Sequence, residues 1–204
     1  MKKITLILFL IVVCACKNEK STGFSNDEIL LDTAVTTVDS GGVVPIKAKV
    51  DSSKIKELKP LFKHKSDEFS EDKTEWITPL AAPKFRNRNG IYCYFSANNL
   101  RFVYQYHSDD WLFIKKCQFL VDGKTFEYFP GEVKRDNDES GITEWFDDSV
   151  DANNKDLIEA LANAKKAKVK LNGDNYYDVK EISKKEIRSI KQTLEYFKAL
   201  GNNI

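Results

Sequence analysis

The sequence predicts an α+β fold in which one antiparallel β-sheet carries two packed helices. Three observations support this prediction. Strand-like runs separated by turn residues fill the centre of the chain, an apolar stripe with helical spacing follows them, and a capped amphipathic helix closes the chain. The helices supply apolar faces that can cover the aromatic side chains of the strands.

Two adjacent strands are predicted at residues 91–96 and 100–107, joined by a turn at Asn98 and Asn99. Side chains of the second strand alternate between an apolar face and a mixed face. The apolar face comprises Leu100, Phe102, Tyr104 and Tyr106, and the mixed face comprises Arg101, Val103, Gln105 and His107.

A hairpin is predicted next, from residues 111–121 through Asp122-Gly123 into residues 124–129. Asp-Gly favours a type I′ turn, because both central residues of that turn need positive φ. A register with Val121 opposite Lys124 would place Phe119 opposite Phe126 and Cys117 opposite Tyr128. Residues 91–129 would then form a four-stranded antiparallel meander.

Shorter elements flank the meander. They are strands at residues 43–50, 142–146 and 167–171, and a helical turn at 53–58 that Pro60 ends. A helix at residues 154–164 carries its apolar stripe on Leu157, Ile158, Leu161 and Ala164. Ser183 and Glu186 form a capping box that begins the last helix, and Gly201 ends it.

The first sixteen residues have the order of a bacterial export signal. Two lysines precede an apolar run at residues 4–13, which is too short to span a bilayer and has the length of a signal-peptide core. The run ends in VCAC, residues 13–16, which resembles the lipobox of bacterial lipoproteins. Cys16 fits that motif better than Cys14, because a very small residue must precede the lipid-bearing cysteine. A secretory signal cleaved after Ala15 is the alternative.

The resemblance implies that residues 1–15 are removed and that lipid on Cys16 holds the protein at the membrane. Residues 16–40 would be a flexible tether, and residues 41–204 a single globular α+β domain. In some bacteria an aspartate after the cysteine retains lipoproteins in the inner membrane. Lys17 stands there in this chain, which favours the outer membrane or the cell surface.

Charge and composition narrow the expected partners. Removing the first 15 residues takes two lysines from the 32 Lys and Arg, which leaves 30 against 31 Asp and Glu and a formal net charge of −1. A nearly neutral chain is not expected to bind nucleic acid.

The chain has few candidate catalytic residues. It contains two histidines, and it lacks the spacing of a phosphate-binding loop, a nucleophile elbow or a zinc site. We therefore expect a membrane-anchored module that binds an envelope protein, a glycan or a peptide. The alternative is a carboxylate-based hydrolase of envelope or extracellular glycans or peptides. Its candidate carboxylates are Asp67, Glu68, Asp109, Asp110 and Glu144. A deep pocket with two carboxylates about 5 to 9.5 Å apart would favour hydrolysis, and a shallow aromatic face would favour binding.

One turn gathers side chains of the kind that bind glycans or peptides, namely an imidazole, two carboxylates and an indole. These candidate ligand-binding residues are His107, Asp109, Asp110 and Trp111. A polar turn flanked by core aromatics is the simpler interpretation.

Residues 136–147 are similar to the calcium loop of EF-hands, with oxygen-bearing side chains at positions 1, 3, 5, 9 and 12 and a glycine at position 6. The similarity implies a calcium site on Asp136, Asp138, Ser140, Glu144 and Asp147; no other cofactor is expected. Position 12 is Asp instead of the usual Glu, and Phe-Pro-Gly at 129–131 opposes an entering helix. A solvated acidic loop is the alternative.

Cys93 and Cys117 are the cysteines of the predicted domain. On the first and third strands of a flat meander they would lie about 9.6 Å apart, whereas a disulfide needs Cα atoms about 4.4 to 6.8 Å apart. We therefore predict two free, buried thiols. A bridge between them would instead indicate a β-sandwich with a C-terminal helix.

Overall fold

The computed structural model describes residues 49–69, 71 and 73–204 of the protein. The structure therefore does not describe Cys16, the predicted signal peptide, the predicted tether at 16–40 or most of the predicted strand at 43–50. Within them the chain forms three helices and ten strands, and all strand pairs are antiparallel. The α+β class is therefore confirmed.

The strands divide between two sheets. The six-stranded sheet has the order β1-β2-β3-β4-β8-β7, and the four-stranded sheet has the order β10-β9-β5-β6. In chain order the strands are β1 (Phe62–Ser66), β2 (Glu75–Pro79), β3 (Gly90–Ser96), β4 (Asn99–Ser108), β5 (Lys116–Val121), β6 (Lys124–Tyr128), β7 (Lys134–Asp138), β8 (Gly141–Ser149), β9 (Ala167–Asn172) and β10 (Tyr177–Ile182).

The single four-stranded meander is wrong, because β4 pairs with β8 and not with β5. The predicted strand at 111–121 begins only at Lys116. Between β4 and β5, the backbone N–H groups of Leu112, Phe113 and Ile114 donate to the Glu144 side chain instead of to a neighbouring strand. This segment therefore carries the chain from one sheet to the other.

The hairpin within the second sheet is confirmed at the level of register. Val121 pairs with Lys124, Phe119 with Phe126 and Cys117 with Tyr128. Asp122 and Gly123 both have positive φ, 46° and 91°, as a type I′ turn requires. The Asp122 carboxylate also accepts from the N–H groups of Lys165 and Lys166, which holds this turn against the start of β9.

The core lies between the two sheets and beneath the C-terminal helix. The predicted apolar face of β4 is buried, and Phe102 packs on Phe119 and Tyr128 of the other sheet at ring-centroid distances of 6.0 and 5.5 Å. Cys93 and Cys117 are fully buried and unbridged, as predicted. The reason differs from the one expected, since the two thiols lie on different sheets.

The helices are α1 (Ser52–Leu58), α2 (Lys155–Asn163) and α3 (Lys184–Ala199). The predicted capping box starts α3: the Glu186 N–H donates to Ser183 Oγ, and the Ser183 N–H donates back to the Glu186 carboxylate. Gly201 follows the helix with φ +83°, as expected at that position. Phe197 of α3 packs edge-on against Phe95 of β3, with ring centroids 5.4 Å apart.

Helix α3 also completes the hydrogen bonding of one edge of β3. Strand β2 pairs with β3 only at its end, through Trp76 and Ile77. Further along, Glu186 Oε1 accepts from the Ile91 N–H at 3.2 Å, and Thr193 Oγ1 donates to the Cys93 carbonyl at 3.4 Å. The helix is thereby joined to the sheet by polar contacts as well as by its apolar face.

Candidate functional site

The face of the six-stranded sheet that points away from α3 carries a row of aromatic side chains. Strand alternation directs Ile91, Cys93 and Phe95 into the core and Tyr92 and Tyr94 to the opposite face. Trp76 of β2 lies beside Tyr94, with ring centroids 5.6 Å apart, and Tyr92 lies 6.3 Å from Tyr94. Trp76 is 37% exposed, so part of its indole is open to solvent.

Trp76 and Tyr94 form the floor of an open groove of about 1200 Å³, which we call the aromatic groove. Its walls come from β1, from residues 66–69 and from the connection between β2 and β3. Four cationic and two anionic side chains are among its lining residues: Lys63, Lys65, Lys84, Arg86, Asp67 and Glu68. The groove therefore combines flat apolar rings with a net positive charge.

A buried polar network fixes the floor of the aromatic groove. The Tyr94 hydroxyl donates to Asp147 Oδ2 at 2.6 Å, and Arg101 Nε donates to Asp147 Oδ1 at 2.8 Å. Burial, followed by this contact with Asp147, raises the pKa of Tyr94, so its hydroxyl stays protonated and acts as the donor. Burial and the nearby Asp147 carboxylate raise the pKa of Tyr92 to about 12.

A single glycine holds one wall of the groove in place. A Cβ at Gly90 would lie 2.4 Å from Pro83 Cγ, so only glycine lets the Pro83 ring approach the start of β3 so closely. Gln105 of β4 adds a second attachment, because its Nε2 donates to the carbonyls of Phe85 and Arg86. Arg86 itself extends over the Trp145 ring, with its Cζ 4.2 Å from the ring centroid.

The predicted ligand-binding turn is not part of this groove. His107 ends β4 with its Nδ1 2.9 Å from the Ile142 carbonyl oxygen, and Asp109 and Asp110 are exposed in a bend. Trp111 is half-buried and stacks on Phe113 at 5.8 Å. Trp111 also packs against the hydrophobic core.

The predicted calcium loop is a β-hairpin formed by β7 and β8. Asp136 pairs with Thr143 across this hairpin, and Asp138 accepts from both the N–H and the hydroxyl of Ser140. Asp147 is engaged by Arg101, and Glu144 points to the opposite side of β8, into the core. The five side chains do not form one coordination shell in this structure. Calcium binding stays a prediction, which calorimetry with millimolar calcium tests.

Glu144 has a structural position that sequence reasoning missed. Its side chain is fully buried, and its two oxygens accept from the N–H groups of Leu112, Phe113 and Ile114 at 2.7, 2.7 and 2.8 Å. Arg135 Nε donates to the same carboxylate at 3.2 Å. The Glu144 carboxylate thereby fixes the position of residues 112–114, which connect the two sheets.

His64 lies between a carboxylate and a phenol on the core side of β1. Its Nδ1 is 3.0 Å from Glu75 Oε1, and its Nε2 is 3.5 Å from the Tyr196 hydroxyl. The order carboxylate, imidazole, hydroxyl is that of nucleophilic triads. However, Tyr196 is almost fully buried, and burial followed by the charge of Glu75 raises its pKa. A phenol in this state is a donor and not an activated nucleophile.

The remaining candidate carboxylates occupy open positions. Asp67 and Glu68 line the aromatic groove, and Asp67 Oδ1 accepts from the Phe69 N–H at 2.9 Å. The described residues contain no cluster of three or more His, Cys, Asp or Glu side chains that could hold a metal ion. Among the same residues, no helix has the length and apolar character needed to cross a bilayer.

Comparison of the chain with family models, with curated proteins and with solved structures finds no match. We therefore infer function from the geometry of the chain itself.

Sequence reasoning found both strands that carry Tyr94 and Arg101 but not the groove. The signal was present in the alternation of Ile91, Cys93 and Phe95 with Tyr92 and Tyr94, which places amphipathic rings opposite a fully apolar face. Strand β2, with Trp76, was missed because its five residues lie between irregular segments and show little alternation.

Proposed function

We propose that the chain is a lipid-anchored lipoprotein of the bacterial envelope whose globular part binds an acidic glycan in the aromatic groove. The observation that carries the proposal is the pair Trp76 and Tyr94 in an open groove lined by four cations. Sugar rings have apolar faces that pack on indole and phenol rings. Carboxylates, phosphates or sulfates on such a chain would pair with the lysines and Arg86.

A glycan fits this position better than a peptide does. Extended peptides usually bind by adding a strand to a free sheet edge, where backbone groups are unpaired. The Trp76 and Tyr94 rings lie on the face of the sheet, where β2 pairs with β1 along its length and with β3 at Trp76 and Ile77, and β3 pairs with β4. On a sheet face the available groups are side chains, and here they are rings and cations.

The anchor and the groove together suggest how the protein acts. Lipid on Cys16 would hold the chain at the outer membrane or the cell surface, and the tether that ends at residue 40 would separate the globular part from the bilayer. The groove would then capture an acidic glycan of the envelope or of its surroundings.

The test uses the full chain in detergent micelles and three probes. Alginate oligomers supply a carboxylated sugar chain, maltoheptaose supplies neutral sugar rings, and poly-glutamate supplies acid without rings. We expect alginate to bind most tightly and Trp76→Ala to weaken that binding by about 10-fold or more. Tyr177→Ala is the matched control, because Tyr177 is an exposed ring on the other sheet.

Three results would count against the proposal. Equal binding of Trp76→Ala and wild type would remove the groove as the site. Poly-glutamate binding as tightly as alginate would favour an acidic peptide, and no binding to any of the probes would reject acidic glycans. Slow cleavage of alginate would instead support the carboxylate-based hydrolase, with Asp67 and Glu68 as the first residues to replace.

A further inference from the structure

A second, smaller cavity lies on the other side of the wall that borders the aromatic groove. It has a volume of about 410 Å³ and is enclosed by the connection between β2 and β3, by the start of β3 and by the first turns of α3. Leu80, Ala82, Pro83 and Lys84 line both this cavity and the aromatic groove.

The cavity is positively charged at its rim. Lys84, Arg88 and Lys185 line it, and none of the three forms an ion pair with a carboxylate of the described residues. An anion placed in the cavity would be attracted to all three of these cations.

The one acid among the lining residues, Glu186, is already saturated with donors. Its carboxylate accepts from the Ser183 N–H and hydroxyl at 2.8 and 2.6 Å and from the Ile91 N–H at 3.2 Å. The Glu186 carboxylate is therefore occupied by these hydrogen bonds. It forms no ion pair with Lys84, Arg88 or Lys185.

Ser189, which carries a buried hydroxyl without a partner, is among the residues that line the same cavity. Ser189 is 3% exposed, and its Oγ has no hydrogen-bond partner among the described residues. Leaving such a hydroxyl unpaired in the interior is unfavourable. An acceptor oxygen inside the cavity would satisfy it.

The cavity also lies at the positive end of a long helix. Helix α3 has 16 residues, and Ser183, Lys185, Glu186 and Ser189, from its cap and first turns, line the cavity. The aligned peptide dipoles make the N-terminal end of a helix favourable for negative charge.

We propose that this cavity is a binding site for one oxyanion group, a phosphate, a sulfate or a carboxylate. Ser189 donates its hydroxyl to the anion, and Lys84, Arg88 and Lys185 balance its charge. The volume is large enough for an anion that carries a small organic group. Binding of an oxyanion in this cavity does not require a glycan in the aromatic groove.

The experiment is calorimetry on the full chain in detergent, with inorganic phosphate and with glycerol 3-phosphate as probes, at an ionic strength held constant with sodium chloride. We expect millimolar binding that Arg88→Gln combined with Lys185→Gln weakens by about 10-fold or more. Lys191→Gln is the matched control, because Lys191 is an exposed lysine on α3 that does not line this cavity.

Ser189→Ala separates a binding role from a packing defect. Removing an unpaired buried hydroxyl should leave the melting temperature unchanged or raise it in the absence of the probes. The same substitution should weaken phosphate binding. The proposal would be overturned if Ser189→Ala bound phosphate as tightly as wild type. It would also be overturned if the Lys191→Gln control lost as much phosphate affinity as the Arg88→Gln, Lys185→Gln variant.

The two probes distinguish the source of the anion. Glycerol 3-phosphate binding about 10-fold tighter than phosphate would assign the site to an anion on an organic carrier, such as a sugar ester or a headgroup. Equal affinities would assign it to the free anion. No heat with either probe, in a sample whose melting temperature shows it to be folded, would reject the site.

Discussion

At the scale of single residues, Glu144 decides how the two sheets connect. A carboxylate buried without partners would be strongly unfavourable, and Glu144 avoids this by accepting from three consecutive backbone N–H groups and from Arg135. In return it replaces the hydrogen bonds that residues 112–114 would otherwise make with a neighbouring strand. The chain can therefore leave the six-stranded sheet without unpaired backbone groups at this point.

Replacing Glu144 with Gln should lower the free energy of unfolding by about 3 kcal/mol. The substitution removes the charge that strengthens these hydrogen bonds, and it places the glutamine NH₂ group against N–H donors that it cannot pair with. Urea denaturation of the full chain in detergent measures the change. Glu127→Gln is the control, since Glu127 is an exposed acid whose partner is Lys116, and we expect it to leave stability close to wild type. A Glu144→Gln midpoint equal to that of wild type would contradict this role.

The two buried thiols give a second prediction at this scale. Burial raises the pKa of Cys93, and burial followed by the charge of Asp148 raises the pKa of Cys117 to about 12. The reactive thiolate is therefore scarce at neutral pH, and the native chain should not react with Ellman's reagent there. Because the thiolate population grows only as pH approaches the raised pKa, reactivity should stay low through pH 9 while the chain remains folded.

After unfolding in guanidinium without reductant, the mature chain should show two reactive thiols, from Cys93 and Cys117. No reactive thiol, together with the mass of an internal bridge, would contradict the structure. Rapid reaction of the native chain would contradict the burial of these residues.

At the scale of elements, the connection between β2 and β3 is the wall between two cavities. Its position depends on the contact of Pro83 with Gly90 and on the two bonds from Gln105 to the carbonyls of Phe85 and Arg86. A change at the contact between Pro83 and Gly90 should therefore alter both cavities at once, although neither Gly90 nor Pro83 is charged.

Replacing Gly90 with Ala should push this wall away from β3 and lower the free energy of unfolding by about 1 to 3 kcal/mol, as in other overpacked contacts. Affinity for the alginate and phosphate probes should fall in the same variant. The control is a double-mutant cycle: adding Pro83→Ala removes the clashing ring, so the pair should be closer to wild type than the sum of the single changes predicts. Additive losses would show that the contact does not place the wall.

At the scale of the whole molecule, the proposed anchor and the described residues would have separate roles. The N-terminal sixteen residues carry the resemblance to a lipoprotein signal, and the proposed binding surfaces lie within residues 49–204. We therefore expect a change at the anchor to alter location and leave ligand affinity unchanged.

Replacing Cys16 with Ser should move the protein from the membrane fraction to the soluble fraction after cell fractionation, because the lipid chains are the proposed attachment. The wild type should incorporate labelled palmitate. Cys14→Ser is the matched control and should behave like wild type. Membrane association of Cys16→Ser equal to that of wild type, with no palmitate in wild type, would contradict lipidation.

Local features of this protein can be predicted from its sequence. Residues close in the chain settle these features, so the Asp122-Gly123 turn, the register of its hairpin, the face of β4 that is buried and the capping box of α3 could all be predicted. The α+β class followed from the same patterns. Strands β1, β2, β7 and β10 were missed, because short or charged strands have too little periodicity of their own and depend on their neighbours.

The grouping of strands into sheets and the positions of the two proposed binding sites depend on packing between distant parts of the chain. Strand β8 lies beside β4, and Glu144 of β8 accepts from the N–H groups of residues 112–114, about thirty positions away in the chain. The aromatic groove brings together Trp76 and Tyr94, and the oxyanion cavity joins Lys84 and Arg88 to Ser189 of α3. No short stretch of sequence contains these sets, because each one depends on packing between elements that are distant in the chain.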